Sequence, residues 1–491
     1  MPTPIEVIHA ALLHTGKVVF IAEAYSPDTL IWDPEDPVEA TAFTVLSGAM
    51  TGLGTNRLAC CGHSFLSDGK LLAVGGDNPT RATAYKFNPT TEQWESAGTM
   101  SAPRWYPTCV TLGDDAGRVL VVGGSQYNGG PTVPTMEIYR ESSNDFTRVW
   151  GPAGIGDTSA DRSFPKLFPG LHLTPTGEIF HSRVGDRFGT PDRSATFAFT
   201  ALDRGQWTDV TDAGTDVDRE NGMAVLVLRR SPTDPDRIVL VGGPMFSTTA
   251  ASIAVVDIPA STSSMWLTGN FPDGVQRSLV NAVALPDGSV FICGGIPPSG
   301  SPTNGGAAML YRPPTGAGLG TLSTMDTLQF ARQHHSTALL LPSAKVMVTG
   351  GTSTTIEVFS PPYLFDAFGA PLPESARPNI TSFPDPDAGT IVLHGSTFQL
   401  GTSVNTSTID RVVMVKPMAV THQTDTEQRV IRLVHTVTDP NTLDVVAPDG
   451  RVYPYGLGGG HSHAIAGRGY YMLFLINTAG VPGRAKFIRL V

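Results

Sequence analysis

The chain has 491 residues, of which 53 are glycine and 40 are proline, and only 16% are charged. The hydrophobic share of 41% is enough for a core, but no apolar run reaches membrane length, so a transmembrane span is not expected. The net charge of −11, without clusters of lysine and arginine, argues against a polyanion-binding surface. Nucleic acid and membrane are therefore not expected partners.

The N-terminal stretch MPTPIEVIHAALLHTGK has no basic segment followed by an apolar one, so this chain shows no signal peptide. The compartment stays open between a cytoplasmic protein and a secreted one whose signal has been removed. The four cysteines, at positions 60, 61, 109 and 293, are too few for a disulfide scaffold and form no CxxC pair typical of zinc sites. The adjacent pair Cys60 and Cys61 is the exception that calls for an explanation.

Short apolar runs that end in two glycines recur along the chain, at intervals of roughly fifty to sixty residues. Turns such as SDGK and LPDGS precede them, which is typical of β-hairpins, and a strand with an aromatic residue follows. The runs are LLAVGG, VLVVGG, IVLVGG, VFICGG and VMVTGG, with degenerate copies near Val18 and Ile179. This pattern resembles kelch repeats and predicts seven propeller blades, with glycine where the strand leaves the crowded centre.

An arginine precedes most of the inner strands, so the repeats can be aligned with one another. When the motifs RWYP and RQHH are placed in one register, Tyr106 becomes equivalent to His334, and Cys60 falls in the column of His335. Repeat-equivalent positions lie at one height around the axis of a propeller. We therefore expect these four polar residues to face a common space.

The composition changes near residue 370, where the proline-rich link GAPLPESARPNI leads to strand-like segments without diglycines. The predicted fold class is all-β, with a seven-bladed kelch-type β-propeller at residues 1–370 and an immunoglobulin-like β-sandwich at 371–491. In the second domain, the segment VTHQTDTEQR places His422 in a polar loop between two strands. Such a loop is a normal location for a functional residue.

Five stretches make the chain similar to the galactose oxidase and glyoxal oxidase family of copper radical oxidases, over nearly its whole length. They are CCGHSFLSDGKLLAVGG, APRWYPTCVTL, RQHHSTALLLP, THQTDTEQR and YYMLFLINTAGVP. The resemblance implies one copper ion on the propeller axis, bound by Tyr106, His335 and His422. It also implies a thioether between the ring of Tyr106 and the sulfur of Cys60, which is preferred over Cys61 because it keeps the family's distance to the diglycine.

The chemistry of these residues agrees with that implication. Imidazole and phenolate suit Cu(II), and the thioether lowers the oxidation potential of the tyrosine, so that a radical persists. The implied activity is oxidation of a primary alcohol or aldehyde, including carbohydrates, while O₂ is reduced to H₂O₂. The protein is expected to be a monomer.

One position departs from the family pattern. His334 stands where the family has a tyrosine that is a weak axial ligand and accepts the substrate's proton. Histidine, with a pKa near 6.5 against about 10 for tyrosine, coordinates copper or acts as a base, so His334 is a candidate ligand and catalytic residue. Two alternatives stay open, namely a copper protein with altered oxidation chemistry and an inactive kelch interaction protein.

The remaining candidate residues have weaker support. The loop GGSQYNGG lacks the tryptophan that covers the linked ring in galactose oxidase, so Trp105 is a possible shield of the radical, or else part of the propeller core. We expect His63 to be a buried, hydrogen-bonded residue. His461 and His463 form an HxH pair, either a second metal site or part of a glycine-rich loop. Arg219 is the nearest candidate for a substrate-binding arginine, and galactose specificity is not implied.

Overall fold

The structure is a computed structural model that describes residues 1–22, 29–46, 58–77, 82–114, 117–150, 167–183, 194–200, 204–211, 219, 221–231, 234–243, 251–258, 264–300, 302, 304–449 and 464–491. In these ranges the helical elements are α1 (Glu39–Ala42) and three 3₁₀ turns, at Pro362–Leu364, Glu374–Ala376 and Thr406–Thr408. No helix in the described ranges has the length and apolarity needed to span a membrane.

Between Val7 and Phe359 the described strands form seven separate antiparallel sheets. Within this range six of the sheets have four strands each, and the last has three. In chain order the sheets contain β1 (Val7–Leu12), β2 (Val18–Ala22), β3 (Thr29–Trp32) and β4 (Phe43–Leu46); β5 (Gly62–Phe65), β6 (Leu71–Val74), β7 (Thr83–Asn88) and β8 (Gln93–Thr99); β9 (Trp105–Thr111), β10 (Arg118–Ser125), β11 (Met136–Arg140) and β12 (Asp145–Trp150); β13 (Leu171–Leu173), β14 (Ile179–His181), β15 (Ser194–Thr200) and β16 (Arg204–Thr211); β17 (Gly222–Val227), β18 (Asp236–Gly242), β19 (Ile253–Ile258) and β20 (Leu267–Gly269); β21 (Ser278–Ala284), β22 (Val290–Ile296), β23 (Ala307–Arg312) and β24 (Thr321–Thr327); and β25 (Ser336–Leu340), β26 (Val346–Gly350) and β27 (Ser353–Phe359).

The predicted turns join the two inner strands of several sheets. In the SDGK turn, the Gly69 N–H donates to the carbonyl of Leu66, and Gly69 adopts φ +86°. In the LPDGS turn, Gly288 bonds Leu285 in the same way, with the same φ. These positive φ values favour glycine, so the repeated Asp-Gly pairs fix where each hairpin reverses.

The diglycines lie where one sheet meets the arginine of the next. A Cβ on Gly75 would lie 2.2 Å from the carbonyl oxygen of Arg104, and one on Gly294 would lie 2.8 Å from that of Arg332. Both glycines also have φ values above +70°. The expectation that glycine is needed at the crowded centre is confirmed.

The first strands of neighbouring sheets contact one another around a shared axis. β5 contacts β9, β9 contacts β13, β17 contacts β21, and β25 contacts both β21 and β1. This arrangement is a β-propeller of about six blades, and the all-β class is confirmed.

The C-terminal part is also built of strands. They are β28 (Ile380–Ser382), β29 (Thr397–Thr402), β30 (Ile409–Val415), β31 (Ala419–Thr421), β32 (Val430–Asp439), β33 (Thr442–Val446), β34 (Gly469–Asn477) and β35 (Lys486–Leu490). All except β31 form one nearly closed sheet in the order β28-β29-β33-β32-β30-β34-β35. The two stacked sheets of an immunoglobulin-like sandwich are not confirmed.

β31 leaves this sheet and pairs with β1 of the propeller, with His9 opposite Thr421. It begins a buried segment, residues 421–429, which we call the plug. The plug bonds several propeller strands: Thr421 Oγ1 donates to the carbonyl of Ile8, Thr426 Oγ1 to that of Cys109, and Gln428 Nε2 to that of Ala282, and Glu427 accepts from the amide of Phe65. The C-terminal domain thus fills the propeller axis with polar side chains whose partners are backbone groups of different sheets.

The repeat register from the arginine motifs is wrong by one residue. The first glycine of a pair lies opposite Pro107 in one sheet and opposite Ser336 in another. The residues before these two are therefore equivalent, which matches Tyr106 with His335 and not with His334. The cause is the segment after the arginine, because Ser336 is the fourth residue after Arg332, whereas Pro107 is the third residue after Arg104.

Candidate metal centre

Three histidines meet at one end of the propeller axis. His334 and His335 precede β25, and His422 is the second residue of the plug. One ring nitrogen from each lies within 4.8 Å of the others. The ring centroids are 4.0 Å apart for the adjacent pair, and His422 lies 5.0 Å from His334 and 4.6 Å from His335. His334 is exposed, His335 is half-buried and His422 is buried, so the cluster has a solvent side and a protein side.

The tautomer of His422 follows from its hydrogen bonds. The hydroxyl of Thr421 donates its proton to the carbonyl of Ile8 and lies 2.7 Å from Nδ1 of His422. Because that proton is already used, Nδ1 must donate to the hydroxyl, and Nε2 carries the lone pair. Nε2 is buried and has no hydrogen-bond partner in the described residues. Burial, and then the nearby His335 and His334, hold the pKa of His422 well below its usual value, so the ring is neutral.

Tyr106 lies between two aromatic rings beside this cluster. Its ring stacks on that of Trp105, with centroids 3.6 Å apart and planes 10° from parallel, and it lies 4.4 Å from the ring of Phe168. The ring of His422 is 4.5 Å away. The Tyr106 amide donates to the carbonyl of Cys60, and Tyr106 packs on the apolar cluster that contains Cys60 and Trp105. The predicted thioether partners are thus neighbours.

The same unusual backbone conformation recurs at the strand starts that carry these residues. Cys60, Tyr106 and His335 have φ values of 66°, 64° and 67°, and Leu279 at the corresponding place near the start of β21 has 58°. A left-handed conformation costs a non-glycine residue of order 1–3 kcal/mol and occurs mainly at functional sites. It also breaks the alternation of side chains, which explains how both His334 and His335 reach one site.

The donor set fits copper. Three imidazoles and a phenol suit Cu(II), whereas calcium and magnesium prefer all-oxygen sites. The buried, unpartnered Nε2 of His422 is positioned to bind a metal, and its Nδ1 bond to Thr421 is the outer support typical of ligating histidines.

The remaining candidates lie elsewhere. His63 is buried as expected, and no partner for its two ring nitrogens is found among the described residues. Arg219 is buried and donates to the carbonyl of Gly242, so it supports the backbone of a diglycine. Cys61 is buried, and burial raises the pKa of its thiol. The pair His461 and His463 lies outside the described residues.

Three residues near the centre were not anticipated. Phe168 covers the second face of Tyr106. Arg183 holds the plug through Nη1, which donates to the carbonyls of His422 and Gln423 and to the hydroxyl of Thr424. His9 accepts a bond from the amide of Cys60. A histidine within the apolar run EVIHAALL was a usable signal, but Phe168 and Arg183 stand in no motif that marks them.

The fold and the site agree with the comparisons, in which the chain is similar to galactose oxidase-like proteins. The model of the galactose oxidase-like early set domain matches residues 377–490, and the kelch motif matches residues 60–101. The resemblance to the galactose oxidase and glyoxal oxidase family is confirmed.

Among similar proteins, the aldehyde oxidase GLOX of Vitis pseudoreticulata is 26% identical, over 94% of this chain and 88% of its own. A galactose oxidase of Gibberella zeae is also 26% identical over 94% of this chain, which spans only 64% of that relative's length. A fungal alcohol oxidase of the AA5 family, solved in complex with copper, has the same fold, with a TM-score of 0.76 at 21% identity, covering 100% of this chain and 98% of that one.

Proposed function

We propose that this protein is a mononuclear copper oxidase of primary alcohols or aldehydes, which reduces O₂ to H₂O₂. The observation that carries the proposal is the meeting of three histidine nitrogens within 4.8 Å beside a stacked tyrosine. The names of the relatives, aldehyde oxidase and galactose oxidase, support the same chemistry.

Each residue of the centre has a proposed role. His335 and His422 would hold copper, Tyr106 would be ligand and radical site, and Cys60 would form the thioether with the Tyr106 ring. Bound copper would accept one of the two electrons that the alcohol loses, and the radical of the linked tyrosine would accept the other. Trp105 covers one face of the Tyr106 ring, which supports its role as a shield against water.

His334 is the proposed third nitrogen ligand and the residue facing the substrate. It is the exposed member of the histidine cluster, so an alcohol arriving from solvent meets it first. A neutral imidazole has a single lone pair, so His334 would accept the hydroxyl proton of the alcohol only when that lone pair is not bound to copper.

A second candidate, copper-dependent oxidation of a different kind, is favoured by the same residue. Because a third neutral nitrogen binds Cu(II) more firmly than a protonated phenol, His334 can occupy the position that the family leaves to a weak ligand. The inactive kelch interaction protein has no comparable support, since every candidate ligand is near its expected partners.

The deciding experiment is intact-mass analysis after aerobic copper loading, combined with a peroxide-coupled screen of alcohols and aldehydes. We expect the wild type to bind one copper ion, to lose the mass of two hydrogen atoms and to produce peroxide. Tyr106→Phe is the matched control, because it keeps the ring but loses neither hydrogen. A wild type that binds no copper and keeps its mass contradicts the proposal.

The variant His334→Tyr separates the two candidates. If His334 limits the radical oxidase chemistry, the tyrosine variant gains oxidase activity at equal copper loading. An equal or lower rate of oxidase turnover in the tyrosine variant means that His334 does not limit the reaction.

We also propose the finer architecture. Seven separate sheets support seven blades within residues 1–370, and the early set match at residues 377–490 supports a second domain at 371–491. The proposed protein is a monomer.

A further inference from the structure

His9 lies next to the candidate centre without belonging to its ligand set. It stands on β1, is 1% exposed, and interrupts a run of apolar residues. Its Nε2 accepts the backbone N–H of Cys60 at 3.1 Å. Cys60 is one of the residues held in the left-handed conformation, with φ 66°.

The hydrogen bond requires one protonation state of His9. Because Nε2 is the acceptor, its lone pair must be free and the proton must be on Nδ1. Burial is the main reason that the pKa of His9 lies well below its usual value, with smaller contributions from His63 and His335. The ring is therefore neutral and remains an acceptor over the ordinary pH range.

The backbone of His9 contacts the other half of the site. His9 pairs with Thr421 across the β1–β31 ladder, and Thr421 orients His422. His9 thus holds Cys60 through its side chain and holds Thr421, which orients His422, through its main chain.

We propose that His9 is a positioning residue for formation of the thioether between Cys60 and Tyr106. By holding the Cys60 amide, it keeps the thiol in the cluster on which Tyr106 packs. The step breaks the S–H bond and one ring C–H bond and forms one S–C bond; two electrons and two protons pass to O₂, which becomes H₂O₂. This inference rests on the proposed function, since the thioether is part of it.

The test compares three variants of the full-length chain. His9→Leu removes the acceptor, and His9→Gln keeps a neutral acceptor at similar reach. His63→Leu is the matched control, because it also removes a buried imidazole. The ring centroids of His63 and His9 are 5.1 Å apart, and the nitrogens of His63 have no partner among the described residues. The readouts are the rate of mass loss after aerobic addition of copper, normalised to the copper-loaded fraction, and hydrogen–deuterium exchange of the Cys60 amide.

We expect His9→Leu to slow the mass loss at least about tenfold, in the range seen when an outer support of a metal site is removed. His9→Gln should recover most of the rate, and His63→Leu should match the wild type. Exchange of the Cys60 amide should be faster in His9→Leu alone. Rescue by glutamine distinguishes positioning from a general loss of packing.

Mass loss at the wild-type rate in copper-loaded His9→Leu overturns the inference, and so does equal slowing in His9→Leu and His63→Leu. If the wild type itself forms no thioether, the proposed function fails. The exchange data then decide the structural part: unchanged Cys60 exchange in His9→Leu overturns the positioning role, and faster exchange in that variant alone supports it.

Discussion

The two ends of the plug differ in how well their polar groups are satisfied. At the far end, Glu427 accepts bonds from the amide of Phe65 and the hydroxyls of Ser64 and Thr111, and Lys416 lies 3.8 Å away. At the near end, His422 has a buried nitrogen without a described partner. A buried polar group without a partner costs free energy, which supports the proposal that a metal binds at this end. The far end, where the polar groups have partners, contributes to the stability of the fold instead.

The largest effect is expected at the near end. His422→Ala removes a ligand, so copper affinity should fall by more than about 100-fold, beyond the loss caused by changing an outer support. Competition titration against a copper chelator measures it. His435→Ala, on β32 and outside the cluster, is the control and should bind like the wild type. Equal affinity in both variants would remove His422 from the ligand set.

At the far end the expected effect is on folding. Glu427→Leu leaves the buried Lys416 without its carboxylate and the Phe65 amide without this acceptor, so the free energy of unfolding should fall by about 3–5 kcal/mol. The hydroxyls of Ser64 and Thr111 keep each other and the carbonyl of Phe65 as partners. Urea unfolding measures this, and Glu427→Gln, which keeps one acceptor, should lose less. A loss of under about 1 kcal/mol would mean that water replaces the carboxylate.

Between the two ends, Asp425 gives a pH-dependent effect. Burial raises the pKa of Asp425 well above its usual value, so the folded protein holds a proton that the unfolded chain releases. Its contribution is complete below about pH 4, the pKa of an unfolded aspartate, and is lost as pH rises toward the folded pKa, at up to about 1.4 kcal/mol per unit.

The variant Asp425→Asn keeps the acceptor for the amides of Glu427 and Gln428 and removes the titration. Unfolding titrations above pH 4 should therefore show a shallower decline of stability in the variant. Parallel curves for variant and wild type would mean that Asp425 is ionised in the folded protein.

The smallest effect concerns the stacked ring. Trp105→Leu removes a stacking contact worth about 0.5–1.5 kcal/mol and part of a buried apolar surface, so the free energy of unfolding should fall modestly. If Trp105 shields the radical, the radical signal of the oxidised protein should decay faster at unchanged copper content. Unchanged decay would assign Trp105 to packing alone.

The same two ends show what the sequence allowed us to predict. Turn and diglycine patterns predicted the propeller because they encode local conformations, the Asp-Gly turn and the close approach at Gly75. The resemblance to the oxidase family also predicted that His335 and His422 belong to one site. The predicted alignment of the repeats was wrong because the arginine does not stand at a fixed distance from the residue that pairs with the first glycine. This distance is one residue longer after Arg332 than after Arg104.

Other features could not be predicted for a physical reason. Phe168 and Arg183 act through contacts across different sheets, and nothing in their own neighbourhoods in the chain marks those contacts. The nearly closed C-terminal sheet and the two stacked sheets of a sandwich use the same alternating strands, so the pattern cannot separate them.

The plug also has a consequence for how the protein is made. His422 follows β31, which pairs with the first strand of the chain, while His335 stands near the end of the propeller sequence. During synthesis the propeller residues emerge well before residue 422 reaches the axis. With the proposed ligand set, copper would meet its third histidine nitrogen only after the segment that carries His422 has docked on the propeller. A chain truncated before residue 419 keeps the adjacent histidines but lacks the third nitrogen.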